Sequence, residues 1–251
     1  MHTFAVFGLG QLGSYLCVEL LRQGNVVLGF DRDPVVVDAL KHKLKEYDYS
    51  RGVFHVIDFT NSSQIDSITR PLFLKYEPEF FVNSFGEVQP RKYLWEIRSD
   101  DFKQMVDNNL VALFNTCKVI GEYLSSRKSG IVVNCTSKLG RHPAREFSSY
   151  CASLFGEEGL SKSFAADLHE YGCRCYLLDT GRIAGDQLDR LGIASTSQLL
   201  LPEDWAKLAI NVILALPHLP DDSNGKDIDL QSNHVKRGER TVLAGLLLAK
   251  M

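Results

Sequence analysis

Three glycines near the start of the chain have the spacing of a phosphate-binding turn. In FAVFGLGQLGSYL, Gly8-x-Gly10-x-x-Gly13 follows an apolar run and opens a segment with helical periodicity. The first glycine permits a tight turn, the second lets a pyrophosphate approach the backbone, and the third lets helix and strand pack closely. The first N–H groups of the helix would face the phosphates. A structural turn is the alternative, but the context favours dinucleotide binding at Gly8, Gly10, Gln11, Leu12 and Gly13.

Acidic residues at the ends of the next two apolar runs could bind the adenosine part of the dinucleotide. Asp31 lies 23 residues after Gly8, where a carboxylate accepts hydrogen bonds from ribose hydroxyls and repels a 2′-phosphate. Asp31 therefore favours NAD(H). Arg32 could instead stack on adenine or contact a phosphate, which leaves NADP(H) open. Asp58 ends the third run, beside the expected adenine, although a solvated loop acid is the alternative.

The bulk composition excludes several classes of protein. Of 251 residues, 45% are hydrophobic, which is ample for a buried core, and a net charge of -3 argues against a nucleic-acid partner. The sequence contains no apolar run of transmembrane length and no secretory signal, so we expect a cytoplasmic protein without membrane contact. The six cysteines have no loop-stapling spacing, and the seven histidines have no ligand-pair spacing, so neither disulfides nor a metal site is expected.

Short apolar runs alternate with helical segments along the whole chain. This alternation is typical of a parallel sheet covered on both faces, and right-handed crossovers then give a doubly wound α/β sandwich. We therefore predict a single-domain Rossmann fold over residues 1–251. The irregular stretch 182–201 is expected to cover the carboxyl edge of the sheet and shape a substrate pocket. The apolar tail 240–251 could pack on its own subunit or on a partner.

Several further motifs, in order and register, carry a family resemblance. FFVNSFGEV holds Asn83 and Gly86, DNNLVALF holds Asn109, GIVVNCTSKLG holds Ser137, and LDTGRIAG holds Gly181. Tyr150 follows Ser137 after 13 residues. Over nearly its whole length the sequence resembles the short-chain dehydrogenase/reductase family. Its departures are Ser84-Phe85 within the N-N-A-G segment, Thr180 in place of a proline, and a more compact glycine turn.

The resemblance implies roles for these residues. Ser137 would hold a carbonyl or hydroxyl oxygen, Tyr150 would pass a proton to it, and Asn109 would help to carry a water of the proton path. Asn83, Gly86 and Gly181 would line the bound cofactor. The family commonly forms dimers and tetramers, so a homo-dimer or homo-tetramer is expected.

Leu154 departs from the family where the departure matters most. The family has a lysine at this position, four residues after the tyrosine, which binds the nicotinamide ribose and lowers the tyrosine pKa. With a pKa near ~10, only about one tyrosine in a thousand is ionised at pH 7. The leading interpretation is an oxidoreductase with an impaired site. The alternatives are a non-redox enzyme (isomerisation, elimination or cyclisation) and a catalytically silent NAD(P)-binding scaffold or sensor.

A basic loop lies between Ser137 and Tyr150. Cationic side chains at the carboxyl edge of such a sheet suggest a small acidic substrate. A solvated basic loop is the alternative, and the same two interpretations apply to a further arginine beside Gly181. The candidate substrate contacts are Lys138, Arg141, His142, Arg145 and Arg182.

Overall fold

A computed structural model of the chain describes residues 1–45, 50–185 and 199–230. Within these ranges it contains one parallel sheet with helices packed on both faces. The predicted tail 240–251 and most of the predicted loop 182–201 lie outside the described residues. The predicted doubly wound α/β fold is confirmed.

The strands coincide with the apolar runs of the sequence. Their order in the sheet, β3-β2-β1-β4-β5-β6-β7, is that of two crossover halves that start from β1 and β4. The described strands are β1 (Thr3–Phe7), β2 (Val26–Asp31), β3 (Gly52–Val56), β4 (Phe80–Asn83), β5 (Ile131–Thr136), β6 (Arg174–Asp179) and β7 (Asp227–Asp229).

The helices connect successive parallel strands. The main helices of the described ranges are α1 (Gln11–Arg22), α2 (Pro34–Lys45), α3 (Ser62–Tyr76), α4 (Ser99–Val106), α5 (Ala112–Arg127), α6 (Ser148–His169) and α7 (Pro202–Ala215). One π-helical turn, Asp107–Val111, joins α4 to α5, and short 3₁₀ turns lie at Leu94–Glu96, Lys138–Gly140, Leu216–His218 and Asp221–Ser223.

Alternating strand residues divide the core into two layers. Phe4 and Val6 of β1 face the layer under α1, α2 and α7, which also holds the fully buried Trp205. Ala5 and Phe7 face the opposite layer under α3, α5 and α6. Because both faces are covered, β1 to β6 contain mostly apolar residues at consecutive positions, which is why apolar runs of the sequence mark these strands.

The sheet order fixes where a ligand can bind. β1 pairs with β2 on one side and β4 on the other, so the connections leave the carboxyl ends of these neighbours in opposite directions. Open α/β sheets bind ligands in the crevice at such a switch point. The glycine turn follows β1 directly, so it lies at this crevice.

Candidate active site

The glycine turn has the close contacts that its three glycines were expected to permit. Gly8 has φ +91°, a left-handed conformation that favours glycine, and a Cβ there would lie 2.6 Å from the backbone nitrogen of Phe85. A Cβ on Gly13 would lie 1.8 Å from the carbonyl oxygen of Gly8. Gly13 therefore allows α1 to pack directly against the end of β1.

The remaining space of the turn fits a dinucleotide. A Cβ on Gly10 would meet no atom within 4 Å, and the same is true of Gly86 after β4. Gly10 is the N-cap of α1 and supplies no side-chain hydrogen bond, so the first N–H groups of that helix lack a side-chain cap. Open space beside uncapped N–H groups is the arrangement that binds a pyrophosphate.

Asp31 is turned towards the glycine turn. It is buried, and its carboxylate accepts hydrogen bonds from the backbone N–H groups of Leu9 (2.5 Å) and Asp33 (2.9 Å). Each oxygen receives one of these bonds, so lone pairs remain for ribose hydroxyls. Arg32, the next residue, is half-exposed and pairs with Glu87.

Asp58, predicted to lie near the adenine, and Asn83, at the end of β4, differ in their exposure to solvent. Asp58 is exposed, and its Oδ1 accepts hydrogen bonds from the N–H and hydroxyl of Thr60, as a turn acid would. Asn83 is buried, and its Nδ2 donates to Oδ1 of Asn134 at 2.7 Å. The Asn83 side chain thus lies inside the protein rather than in the crevice, so only its backbone can contact a cofactor.

Phe85 is a residue at the crevice that the sequence did not single out. Its ring stacks on Phe59 at a centroid distance of 4.8 Å, and its backbone packs closely against Gly8. The family resemblance marked Phe85 only as a departure from N-N-A-G. The aromatic pair, directly after β3 and β4, belongs to the core layer under α3, α5 and α6.

Ser137 and Tyr150 are presented by neighbouring elements. Ser137 follows β5 and caps the short turn Lys138–Gly140, accepting a bond from the N–H of Leu139 at 3.3 Å. Tyr150 lies in the first turn of α6 and is 7% exposed. Both therefore lie on the carboxyl side of the sheet, on the β4–β5 side of the switch point.

Leu154 lies in one apolar cluster with Tyr150. The cluster also contains Met105 of α4 and Phe147, and Leu154 is 4% exposed. The spacing of one helical turn between Tyr150 and Leu154 predicted that both would share a face, and both pack in this cluster. An apolar side chain therefore lies in the same cluster as the tyrosine.

Asn109 clamps the segment after β4. It lies in the π-helical turn, and its Oδ1 accepts the N–H of Glu87 (2.7 Å) while its Nδ2 donates to the carbonyl of Glu87 (3.1 Å). The same Nδ2 lies 3.0 Å from Oγ of Ser153 on α6. The side chain is committed to these contacts, so Asn109 joins three segments of the site rather than presenting a free amide.

A cavity of about 210 Å³ lies beside Tyr150. Its wall contains apolar side chains, uncharged polar side chains and charged side chains of both signs. Ser149 and Gln89 meet inside this lining, with Ser149 Oγ 3.3 Å from Gln89 Oε1. The lining residues are Gln89, Pro90, Lys92, Ile97, Asp101, Glu146, Phe147, Ser149 and Tyr150.

Arg141 is the clearest departure from the predicted substrate contacts. Its guanidinium forms ion pairs with Glu158, Asp179 and Asp227, so its charge is balanced inside the protein. Burial raises the pKa of the Asp179 carboxyl, while the Gly181 N–H and Arg141 oppose that shift. Arg141 thus ties α6 to the carboxyl end of β6 and to the first residue of β7.

The other basic residues also lie at the surface or in pairs. Lys138 pairs with Asp229 at 3.2 Å, and Arg145 lies over the ring of Tyr93 at 5.1 Å. His142 is exposed, and so is Arg182 after β6. These positions do not converge on the cavity beside Tyr150, and the charge pattern of the loop alone could not reveal that.

The start of the segment after β6 reaches the glycine turn. Gly181 has φ +74°, and its N–H donates to Asp179 Oδ1 at 3.0 Å. Nε2 of Gln11 donates to the carbonyl of Ala184 at 2.9 Å. Gln11 therefore connects the glycine turn to the segment that would border the nicotinamide.

Two adjacent carboxyls on α6, Glu157 and Glu158, were not singled out from the sequence. Both are buried, but Glu158 pairs with Arg141 and Lys162, whereas Glu157 has no ion pair among the described residues. Burial, followed by the charge of Glu158, raises the pKa of Glu157 to about 8. Glu157 is therefore largely protonated at neutral pH.

Neither a metal-binding cluster nor a membrane-spanning helix is found among the described residues. No group of three or more potential metal-ligating side chains is found among them. None of their helices combines the length and the apolar character needed to cross a membrane. All six cysteines are free thiols, five of them buried.

Comparison with known proteins agrees with this geometry. The model of the short chain dehydrogenase family matches residues 4–192. The NADPH-dependent pterin aldehyde reductase of Arabidopsis thaliana is 30% identical over 220 residues, covering 86% of this chain and 88% of the relative. Sorbitol-6-phosphate 2-dehydrogenase of Escherichia coli (strain K12) is 26% identical over 209 residues, covering 82% of this chain and 77% of the relative.

Solved structures show the same fold. The 3-oxoacyl-[acyl-carrier protein] reductase of Brucella melitensis superposes with a TM-score of 0.77 at 20% identity, covering 91% of this chain and 89% of that structure. ElxO with NADP bound gives a TM-score of 0.76 at 20% identity, covering 91% and 97%. The family model and the plant relative, together with the fold, show that this chain belongs to the short chain dehydrogenase family.

Proposed function

We propose that this protein binds a nicotinamide dinucleotide and reduces the carbonyl group of a small metabolite, or oxidises the corresponding alcohol. The observation that carries the proposal is the open backbone at Gly10 and Gly86, on the same sheet edge as Ser137. In this assignment the nicotinamide supplies or accepts the hydride. Residues of this chain orient the substrate oxygen and exchange a proton with it.

The roles of the polar residues follow from the family resemblance. Ser137 Oγ would donate a hydrogen bond to the substrate oxygen, and the neutral phenol of Tyr150 would give it a proton during reduction. Asn109 would act mainly by positioning, because its side chain holds Glu87 and Ser153. Without a cation at position 154 both directions of the reaction are slow, since a catalyst cannot change the equilibrium between them.

The cavity beside Tyr150 is our candidate substrate pocket. Its volume of about 210 Å³ suits a small molecule, and its lining mixes apolar groups with both signs of charge. A requirement for an acidic substrate loses its main support, because Arg141 is balanced by three carboxylates. We therefore propose a small carbonyl compound without a required acidic group.

The preferred cofactor is proposed to be NAD(H). The named relative from Arabidopsis thaliana uses NADPH, and several similar structures contain NADP. In this chain, however, Asp31 takes the sequence position expected to face the ribose, and Glu87 pairs with Arg32. The carboxylates of Asp31 and Glu87 outnumber the single cation of Arg32, and this excess of negative charge disfavours the 2′-phosphate of NADP(H).

A second candidate function is supported by Leu154. Its burial in the apolar cluster around Tyr150 is consistent with an apolar residue in place of the family's lysine. A protein that binds the dinucleotide without turnover, or that uses Ser137 and Tyr150 for non-redox chemistry, would tolerate such a change. The experiment below separates these candidates.

The assembly and location remain proposals. Phe114 of α5 and Phe155 of α6 are 52% and 45% exposed, which is consistent with a homo-dimer or homo-tetramer formed through these helices. We also retain the cytoplasmic location expected from the sequence.

The proposed function predicts dinucleotide binding together with tyrosine-dependent turnover. NADH and NADPH are titrated by calorimetry, and NADH consumption is followed with a panel of small aldehydes and ketones. Tyr150→Phe should lower kcat/KM by about 10²-fold or more while leaving the dinucleotide Kd near its original value. Product formation without change in NADH would favour the non-redox candidate, and binding without any turnover would favour the silent one.

Two glycine substitutions test the cofactor cradle. Gly10→Ala adds a methyl group in open space, so folding should persist while the dinucleotide Kd rises at least about tenfold. Gly13→Ala forces a Cβ against the Gly8 carbonyl, so it should also lower stability by about 1 to 3 kcal/mol. Calorimetry and thermal melting measure both effects. Unchanged dinucleotide binding by a folded Gly10→Ala variant would remove the cradle from the proposal.

A further inference from the structure

Arg32 and Glu87 form an ion pair that bridges the carboxyl end of β1. Arg32 follows the last residue of β2, Glu87 follows β4, and these two strands flank β1 in the sheet. Nη2 of Arg32 donates to Oε1 of Glu87. The pair therefore connects the two sides of the crevice in which a dinucleotide would lie.

Glu87 is held in place independently of Arg32. Its Oε2 accepts a hydrogen bond from Nδ2 of Asn108 at 2.6 Å. Its backbone N–H and carbonyl both bond to the side chain of the buried Asn109. One bond holds the carboxylate and two hold the backbone of the same residue, so any competitor must take the Arg32 guanidinium away from a preorganised partner.

Arg32 is the cation beside the ribose position. Asp31 precedes it and is anchored to Leu9 and Asp33, so the 2′ position of a bound adenosine would lie near Arg32. A guanidinium there can accommodate a 2′-phosphate, but only if it is available. NAD(H) carries a hydroxyl at that position and does not need the arginine.

We propose that Glu87 determines how strongly this protein discriminates against NADP(H), by competing with the 2′-phosphate for Arg32. The inference rests on the proposed dinucleotide-binding function. Glu87 acts in two ways: it occupies the guanidinium, and its negative charge repels a nearby phosphate. Both effects weaken the binding of NADP(H), whereas NAD(H) is nearly unaffected.

The test compares the Kd of NADPH and NADH, measured by calorimetry, for three proteins. Glu87→Gln retains an oxygen acceptor for Asn108 but removes the charge, so the NADPH Kd should fall about 3- to 5-fold. The NADH Kd should change by less than about 1.5-fold, because NADH carries a hydroxyl instead of a phosphate at the 2′ position and does not need the guanidinium. Glu122→Gln is the matched control, because Glu122 pairs with Arg70 on the α3–α5 surface with similar exposure.

A double-mutant cycle shows whether Glu87 acts through Arg32. Arg32→Ala should raise the NADPH Kd on the order of tenfold. In that background, Glu87→Gln should have a clearly smaller effect on NADPH, because no guanidinium remains to be released.

Each outcome decides the matter. A selective gain in NADPH affinity that shrinks without Arg32 supports the inference. Equal changes for the two dinucleotides, or no change at Glu87→Gln while the unmodified protein binds NADH, would overturn it and leave the proposed function standing. Failure of the unmodified protein to bind either dinucleotide would overturn both.

Discussion

Leu154→Lys should raise the kcat/KM for carbonyl reduction by about 10²-fold or more, in the range typical of a restored acid–base group. Leu154 lies one helical turn after Tyr150, in the same buried cluster. An ammonium there favours the ionised form of the phenol and supplies a hydrogen-bond donor for the nicotinamide ribose. The measurement is steady-state reduction of a reactive aldehyde by NADH from pH 6 to 10.

The shape of the pH profile is a second readout of the same variant. Reduction needs the protonated phenol, so the rate falls as pH rises through the pKa of Tyr150. The pH at which this fall begins in the unmodified protein, with Leu154 beside the phenol, is the reference for the variant. In Leu154→Lys it should begin at lower pH, because the cation stabilises the phenolate.

Two controls make this result specific. Leu154→Met nearly preserves volume without adding charge, so its activity should stay within about twofold. Leu154→Lys combined with Tyr150→Phe should lose the entire gain. A folded Leu154→Lys protein that binds NADH but reduces no substrate faster than the original would show that more than the lysine is missing.

Glu157→Gln should make stability much less dependent on pH. Glu157 is buried in α6, its pKa is raised to about 8, and it has no ion pair among the described residues. In the unfolded chain its pKa returns to an ordinary value of 4.5. The unfolded state therefore releases this proton at a lower pH than the folded state does.

The direction of the effect follows from this difference. Below the unfolded pKa both states hold the proton, so Glu157 makes no pH-dependent contribution. Between the two pKa values only the unfolded state is ionised, so folding loses stability as pH rises, until the folded carboxyl also ionises near pH 8. From pH 5.5 to 8.5 the loss amounts to about 2 to 3 kcal/mol.

Urea unfolding at pH 5.5 and 8.5 measures this effect. Glu157→Gln, which cannot ionise, should exceed the stability of the unmodified protein by a clearly larger margin at pH 8.5 than at pH 5.5. Glu170→Gln, at the exposed end of the same helix, should leave the pH dependence unchanged. Equal stability of Glu157→Gln and the original protein at pH 8.5 would contradict a buried, protonated Glu157.

Local sequence patterns were sufficient for the fold and for the outline of the site. β1 to β6 contain apolar runs because both faces of the sheet are covered, so these runs predicted them, whereas β7 is a three-residue strand with an acid on each side of Ile228. The glycine spacing predicted a tight turn, and the close contacts at Gly8 and Gly13 leave no room there for a side chain. The shared face of Tyr150 and Leu154 followed from helical periodicity over four residues.

The tertiary structure decided which charged and polar groups meet. Asn83 matches a family motif, yet its position at the end of β4 turns its side chain towards Asn134. Arg141 pairs with carboxylates on α6, β6 and β7, up to 86 residues away in the chain. Such pairings depend on which strands become neighbours, and no local spacing encodes that order.

Burial on α6 is the second property that required the folded chain. This helix is packed on several sides, so its buried residues include polar ones such as Ser153, Glu157 and Ser161. An amphipathic pattern identifies a helix with one covered face, but it gives no signal where neighbouring elements cover most of the surface. The amino-acid sequence was enough to predict the fold, the glycine turn and a leucine one helical turn after Tyr150. The packing of α4, α5 and α6 decided that Leu154 lies in the apolar cluster of Tyr150 and that Glu157 is buried, because desolvation depends on three-dimensional neighbours.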